Sequence, residues 1–175
     1  MSEPEKLDET IRTGGCQCGA VRFRAKGLRD NPHICHCRMC QKAYGNFFAA
    51  LVGVYRDDFS WTRGEPSSFE SSQGIKRGFC ADCGTPLYFL RDGSENISLS
   101  IGAFDDPASI PLAFELSMES KLPQMATLPD LPNFGTTEDD DPEGAALAKA
   151  TSRQHPDHDW NTDKTTGIFR KAFHF

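Results

Sequence analysis

The sequence predicts a mainly β fold, with small antiparallel sheets stapled by cysteine knuckles and a less regular C-terminal segment. Three observations carry this expectation. Short apolar runs alternate with polar residues at the period of half-buried strands. Glycine (15) and phenylalanine (13) are plentiful, as tight turns and sheet faces require. The seven cysteines fall in three tight clusters, with none elsewhere.

Residues 1–12 are polar and mostly acidic and read as a solvated tail. Gly14 and Gly15 precede the first cluster, Cys16-Gln17-Cys18, where glycine permits positive φ and close backbone approach. Residues 20–25 alternate apolar and basic side chains and form a strand. Residues 26–32 turn the chain. The second cluster, Cys35-His36-Cys37-Arg38-Met39-Cys40, lies within residues 33–44. Residues 47–55 are an apolar run of strand length, rich in β-formers. Residues 57–66 carry turn residues at both ends. A short strand follows at 68–71, and 75–79 leads into the third cluster, Cys80-Ala81-Asp82-Cys83. Residues 86–90 lead out of it as a strand, and Asp92-Gly93 signals a hairpin turn. Residues 96–104 alternate Ile97, Leu99 and Ile101 with Ser98, Ser100 and Gly102, the clearest strand signal in the chain. Asp105-Asp106-Pro107 reads as a turn and cap that ends it, and 112–118 supplies a last strand. Beyond residue 120 prolines and acidic residues dominate. A short helix is expected over 143–152, with Asp141 as cap and Pro142 in the first turn.

A chain of 175 residues fits one domain with a real core. The net charge of -6 excludes general nucleic-acid binding, because a phosphate backbone needs a basic face. The start has no apolar core of a secretory signal, and no apolar run approaches the roughly 18 residues that span a bilayer. The expected protein is cytoplasmic, makes no membrane contact and keeps its thiols reduced. An odd cysteine count and the Cys-x-Cys spacing argue against a disulfide framework.

Clustered cysteines in a reducing compartment point to thiolate-bound metal, with zinc the best match. Cys16-x-Cys18 and Cys80-x-x-Cys83 are each half of a four-thiolate structural site. Cys35, Cys37 and Cys40 leave a three-ligand set, which is the pattern of a catalytic zinc. His33 or His36 closing that set would make a second structural site. Free reactive thiols beside Arg38 are the remaining alternative. A three-thiolate zinc polarises water weakly but suits a soft sulfur ligand, which deprotonates on binding. Zinc deaminases also use thiolates, but their H-x-E and P-C-x-x-C strings do not occur here.

The strings GGCQCGAVRF, CHCRMCQKAYG, SSQGIKRGFCADCGTPL and IGAFDDP resemble the glutathione-dependent formaldehyde-activating enzyme family, also called the centromere protein V family. The resemblance covers residues 13–120, the zinc-binding β domain, and leaves 121–175 as a C-terminal extension packed on the same domain. It implies a β-tent fold with two zinc ions per chain. The structural zinc is implied on Cys16, Cys18, Cys80 and Cys83, and the catalytic zinc on Cys35, Cys37 and Cys40. The implied activity is that of a carbon–sulfur lyase, which joins formaldehyde and glutathione into S-(hydroxymethyl)glutathione or acts on a similar thiol adduct. Lys121 to Met125 stands where many members carry a tryptophan, and the segment from Thr127 exceeds the family core.

Four further residues are candidates for substrate contact. Arg77 suits a carboxylate such as those of glutathione. Ser72 offers a hydrogen bond from a loop, with Ser71 beside it. Tyr44 and Phe48 follow the three-cysteine cluster and are placed to line its pocket. His155 and His158 in the terminal stretch read as solvated, and Trp61 as core. Two other functions compete with the enzyme: a non-catalytic, zinc-stabilised binding module, and a sensor or carrier of thiol metabolites. The sequence does not fix the oligomeric state.

Overall fold

A computed structural model describes residues 6–158, and these build ten strands in two sheets. The first sheet is antiparallel and has the order β1 (Ile11–Gly15), β2 (Arg22–Lys26), β5 (Phe59–Arg63). The expected alternation governs β2, where Phe23 and Ala25 are fully buried between exposed Arg24 and Lys26. β5 lies in a segment read as turn-bounded. Its Phe59 and Trp61 face inward while Ser60 and Thr62 stay exposed, which is the period of a half-covered strand.

The second sheet holds seven strands. These are β3 (His33–Cys35), β4 (Ala49–Tyr55), β6 (Ser67–Ser72), β7 (Ile75–Phe79), β8 (Pro86–Arg91), β9 (Asn96–Ser100) and β10 (Phe114–Leu116). Their order is β10-β3-β4-β9-β8-β7-β6. The mainly β fold is as expected, and this sheet is mixed rather than wholly antiparallel. β10 runs parallel to β3, with Phe114 opposite His33 and Leu116 opposite Cys35. The chain reaches that position by a long excursion after β9, and Ala113 N donates to Pro32 O at 2.8 Å as it arrives.

β9 stops at Ser100, short of the strand expected to Phe104. Ile101–Ala103 form a turn of 3-10 helix, which drives Ile101, Ala103 and Phe104 into the core. The backbone there crosses β1 at Gly14, where a Cβ would collide with Ala103 O. Gly14 thus serves close approach, as expected, while positive φ falls later at Gly19 (74°).

The core fills the space between the sheets with Phe23, Leu28, Val52, Val54, Leu87 and Leu99, all fully buried. Each such side chain contributes about 1.5–3 kcal/mol. Phe23 packs edge-on against Trp61 and Phe104, at centroid distances of 6.1 and 5.1 Å. Trp61 is a wall of this core, as its sequence position suggests.

Residues 6–12 are more than a solvated tail. Leu7 packs on the core and its N–H donates to Leu28 O at 2.7 Å. Lys6 pairs with Asp58 at 3.0 Å, and β1 already begins at Ile11. At the other end lie α2 (Thr137–Asp140) and α3 (Pro142–Thr151). Asp141 caps α3 through Gly144 N at 2.9 Å, with Pro142 in the first turn as expected. Neither helix buries a residue. The chain then returns to the first sheet, where His155 N donates to Gln17 O at 2.6 Å. The rest of the terminal stretch, 159–175, lies outside the described residues.

Candidate active site

Two turns face each other across the sheets and bring four thiols together. One links β1 to β2 and carries Cys16 and Cys18; the other links β7 to β8 and carries Cys80 and Cys83. All four Sγ atoms lie within 4.8 Å of one another. The Cys16–Cys18 and Cys18–Cys80 separations are 3.5 and 3.8 Å. Backbone geometry suits thiolates. Val21 N donates to Cys16 Sγ at 3.3 Å, and the Thr85 hydroxyl lies 3.2 Å from Cys83 Sγ. Thr85 also accepts from Gln17 N at 3.0 Å, which ties the two turns directly. Burial raises the Cys18 and Cys80 thiols, Cys80 to about 11. Burial acts the same way on Cys83, but the Thr85 hydroxyl and neighbouring donors outweigh it and bring that thiol down to about 6.

The second cluster is built by β3 and the helix that follows it, α1 (Arg38–Tyr44). Cys35 ends β3, Cys37 caps α1, and Cys40 lies one turn into it. The cap is a sulfur cap, with Cys40 N donating to Cys37 Sγ at 3.3 Å. Gly45, in the left-handed conformation, closes the helix. The three Sγ atoms lie within 4.8 Å of one another. Among the described residues no fourth cysteine, histidine, aspartate or glutamate joins them. A hydrogen bond with Cys40 draws the Cys35 thiol down to about 5, and the same contact drives Cys40 upward. Both clusters are soft, sulfur-only donor sets able to hold metal ions.

Neither nearby histidine closes the three-cysteine set. His33 Nδ1 is engaged with Asn31 O at 2.7 Å, and its ring stacks on Phe114 at 5.2 Å. His36 is fully buried and faces away, edge-on to Phe48 at 6.1 Å. Its Nε2 lies 3.6 Å from Glu115 Oε1, and neither ring nitrogen has a hydrogen-bond partner.

Arg77 does reach the cluster. Its Nη2 donates to Cys40 Sγ at 3.5 Å, and its guanidinium lies over the Phe89 ring at 5.2 Å. Ser71, not Ser72, accepts from Arg77 Nε, at 3.1 Å. Adjacent strand residues point to opposite faces, and Ser72 is turned to solvent. Tyr44 is anchored by Ser100, with 2.9 Å between the hydroxyl oxygens, and burial lifts its phenol to about 12. Tyr44 and Arg77 both line a cavity of about 290 Å³ beside the cluster. Phe48 does not line it, because its ring is spent on His36.

The family profile described as glutathione-dependent formaldehyde-activating enzyme matches residues 11–119, more than half of the chain. The chain belongs to this family. An uncharacterized lyase of Schizosaccharomyces pombe is 29% identical over 83 residues, 47% of this chain and 60% of that protein. The chain thus spans less than two thirds of that relative's length. A crystal structure of a Rhodobacter sphaeroides protein aligns with a TM-score of 0.50 and 21% identity. It covers 59% of this chain and 98% of its own, a likeness of fold.

The part matched to the glutathione-dependent formaldehyde-activating enzyme family contains all seven cysteines and Arg77, and it ends before α2 and α3. It also contains residues that sequence reasoning missed. Among the described residues Ser117 alone has a positive φ (58°) without being glycine, and its Oγ lies 3.9 Å from Cys35 Sγ. Gln41 Nε2 donates to His36 O at 2.8 Å and Ser120 O at 2.9 Å, tying α1 to the segment that follows β10. Gln41 is adjacent to Cys40 in sequence, so its position was visible, but its partners were not.

Proposed function

We propose that the chain is a zinc-dependent carbon–sulfur lyase acting on the adduct of a small thiol, such as S-(hydroxymethyl)glutathione formed from formaldehyde and glutathione. The observation that carries this reading is the convergence of Cys35, Cys37 and Cys40 with no fourth metal-binding side chain among the described residues. The donor set fits zinc: three thiols in one pocket, one accepting from a backbone N–H and one from a guanidinium. Zinc bound there would favour the thiolate form of an incoming thiol.

The remaining work falls to the chain. Arg77 offsets negative charge on Cys40 and holds that thiolate in place. Tyr44 and Phe89 pack on the cysteines and limit water at the sulfur cluster. In the synthetic direction the substrate sulfur bonds to the formaldehyde carbon. The carbonyl π pair moves to oxygen, and the proton released by the thiol ends on that oxygen as the hydroxymethyl group. The lyase direction reverses each of these transfers.

Cys16, Cys18, Cys80 and Cys83 act in this reading as a structural zinc site. Seven free thiols fit a reducing cytoplasm. Among the described residues no helix is long and apolar enough to cross a membrane. Exchange NMR of formaldehyde with glutathione tests the proposal. The full chain should speed exchange, and Cys40→Ser should abolish that effect while leaving one tightly held zinc. Equal exchange with and without protein refutes it.

A further inference from the structure

Among the described residues eight glycines take positive φ, and Ser117 is the one residue with a side chain that joins them. The left-handed region is disfavoured for any L-residue, because Cβ crowds the following carbonyl oxygen. A glycine would make the same turn at lower cost, so the turn alone does not account for a serine here.

The backbone around Ser117 is held at several points. The parallel pairing of β10 with β3 sets Leu116 opposite Cys35. His36 N donates to Leu116 O at 3.0 Å, and Ser120 N donates to Ser117 O at 3.1 Å. Gln41 Nε2 holds Ser120 O at 2.9 Å. A strained residue persists when its surroundings over-determine it in this way. The Ser117 side chain is half-buried, whereas Leu116 and Met118 on either side are exposed. Its hydroxyl has no hydrogen-bond partner among the described residues other than Cys35 Sγ.

Each sulfur of the cluster thus meets a donor from outside the thiols. Cys37 accepts from Cys40 N, Cys40 from Arg77, and Cys35 faces the Ser117 hydroxyl. The 3.9 Å contact is long for a neutral thiol, and a charged sulfur takes a shorter bond. Resting on the reading of Cys35, Cys37 and Cys40 as a metal centre, we propose that Ser117 is a positioning residue of that centre, its hydroxyl donating to the Cys35 thiolate. The bond fixes the direction of the Cys35 sulfur and withdraws charge from it. The segment after β10 is then part of the site and not only its border.

Cobalt(II) in place of zinc in the full chain tests this. The spectrum of the three-cysteine centre is the difference between a chain and the same chain carrying Cys40→Ser. Ser117→Gly and Ser117→Ala should both move the thiolate-to-cobalt charge-transfer band to longer wavelength, since a sulfur without its donor is easier to oxidise. Both should weaken metal at that centre roughly tenfold in competition with a chelator. Ser117→Gly relieves the backbone, so in excess metal its urea midpoint should equal or exceed that of the native chain. An unchanged band and affinity in Ser117→Gly overturns the inference, as does a shift in Ser117→Ala alone, which would trace to backbone strain. Metal binding without formaldehyde exchange sinks the lyase reading and leaves the Ser117 inference to its spectrum. No metal at the three cysteines of the native chain overturns both.

Discussion

Asp105 holds the seam between the sheets. Its carboxylate takes both terminal nitrogens of Arg22, at 2.8 and 2.5 Å, and the Thr13 hydroxyl at 2.5 Å. Its N–H donates to Thr13 O. Burial pushes its carboxyl up, but Arg22 and Thr13 outweigh that and hold it below the usual range. The folded value lies below the unfolded one, so the pair's stabilisation is complete above the unfolded value and is lost as pH falls through the folded value. Asp105→Asn should cost about 3–5 kcal/mol in urea unfolding at neutral pH, because it removes the carboxylate that takes both terminal nitrogens of the buried Arg22. The deficit should narrow in acid, and an equal deficit at every pH would exclude the ion pair as its cause. The sequence showed Asp105 only as half of a turn, since nothing local pairs it with a residue on β2. The cysteines were legible for the opposite reason, because their spacing is local and their chemistry leaves few readings.

Elements were legible where burial follows a simple period. β2, β4 and β9 announce themselves through alternating or continuous apolar residues. α1 did not, because its inward face is Cys40 and Gln41, and the cysteines read first as ligands. β10 showed as a strand, but its partner and its parallel direction depend on a connection that no local pattern encodes. Gln41 is the tie that makes α1, β3 and the post-β10 segment one unit. Gln41→Ala leaves two carbonyls without that donor and should cost about 1–3 kcal/mol. Amide hydrogen exchange should then quicken around 117–121 more than in β9. Unchanged protection there would show that β10 is held by its strand pairing alone.

At the scale of the whole molecule the proposed function gives the two clusters separate duties. The four-cysteine set joins the turn between β1 and β2 to that between β7 and β8, and so clips one sheet to the other. Cys80→Ser should lower the melting temperature sharply and release metal to a chelator. Cys40→Ser should lose one zinc per chain with a much smaller fall, and the comparison is made by thermal unfolding with metal analysis. Equal falls would mean that both sites are structural. The pairing of Leu116 with Cys35 also sets an order in time. On the ribosome the four-cysteine set is complete once Cys83 has emerged, whereas β3 gains its second neighbour only after β10 has been made. Under the proposed function, the four-cysteine staple can load during synthesis, and the three-cysteine cluster matures last, when the chain around it is already folded.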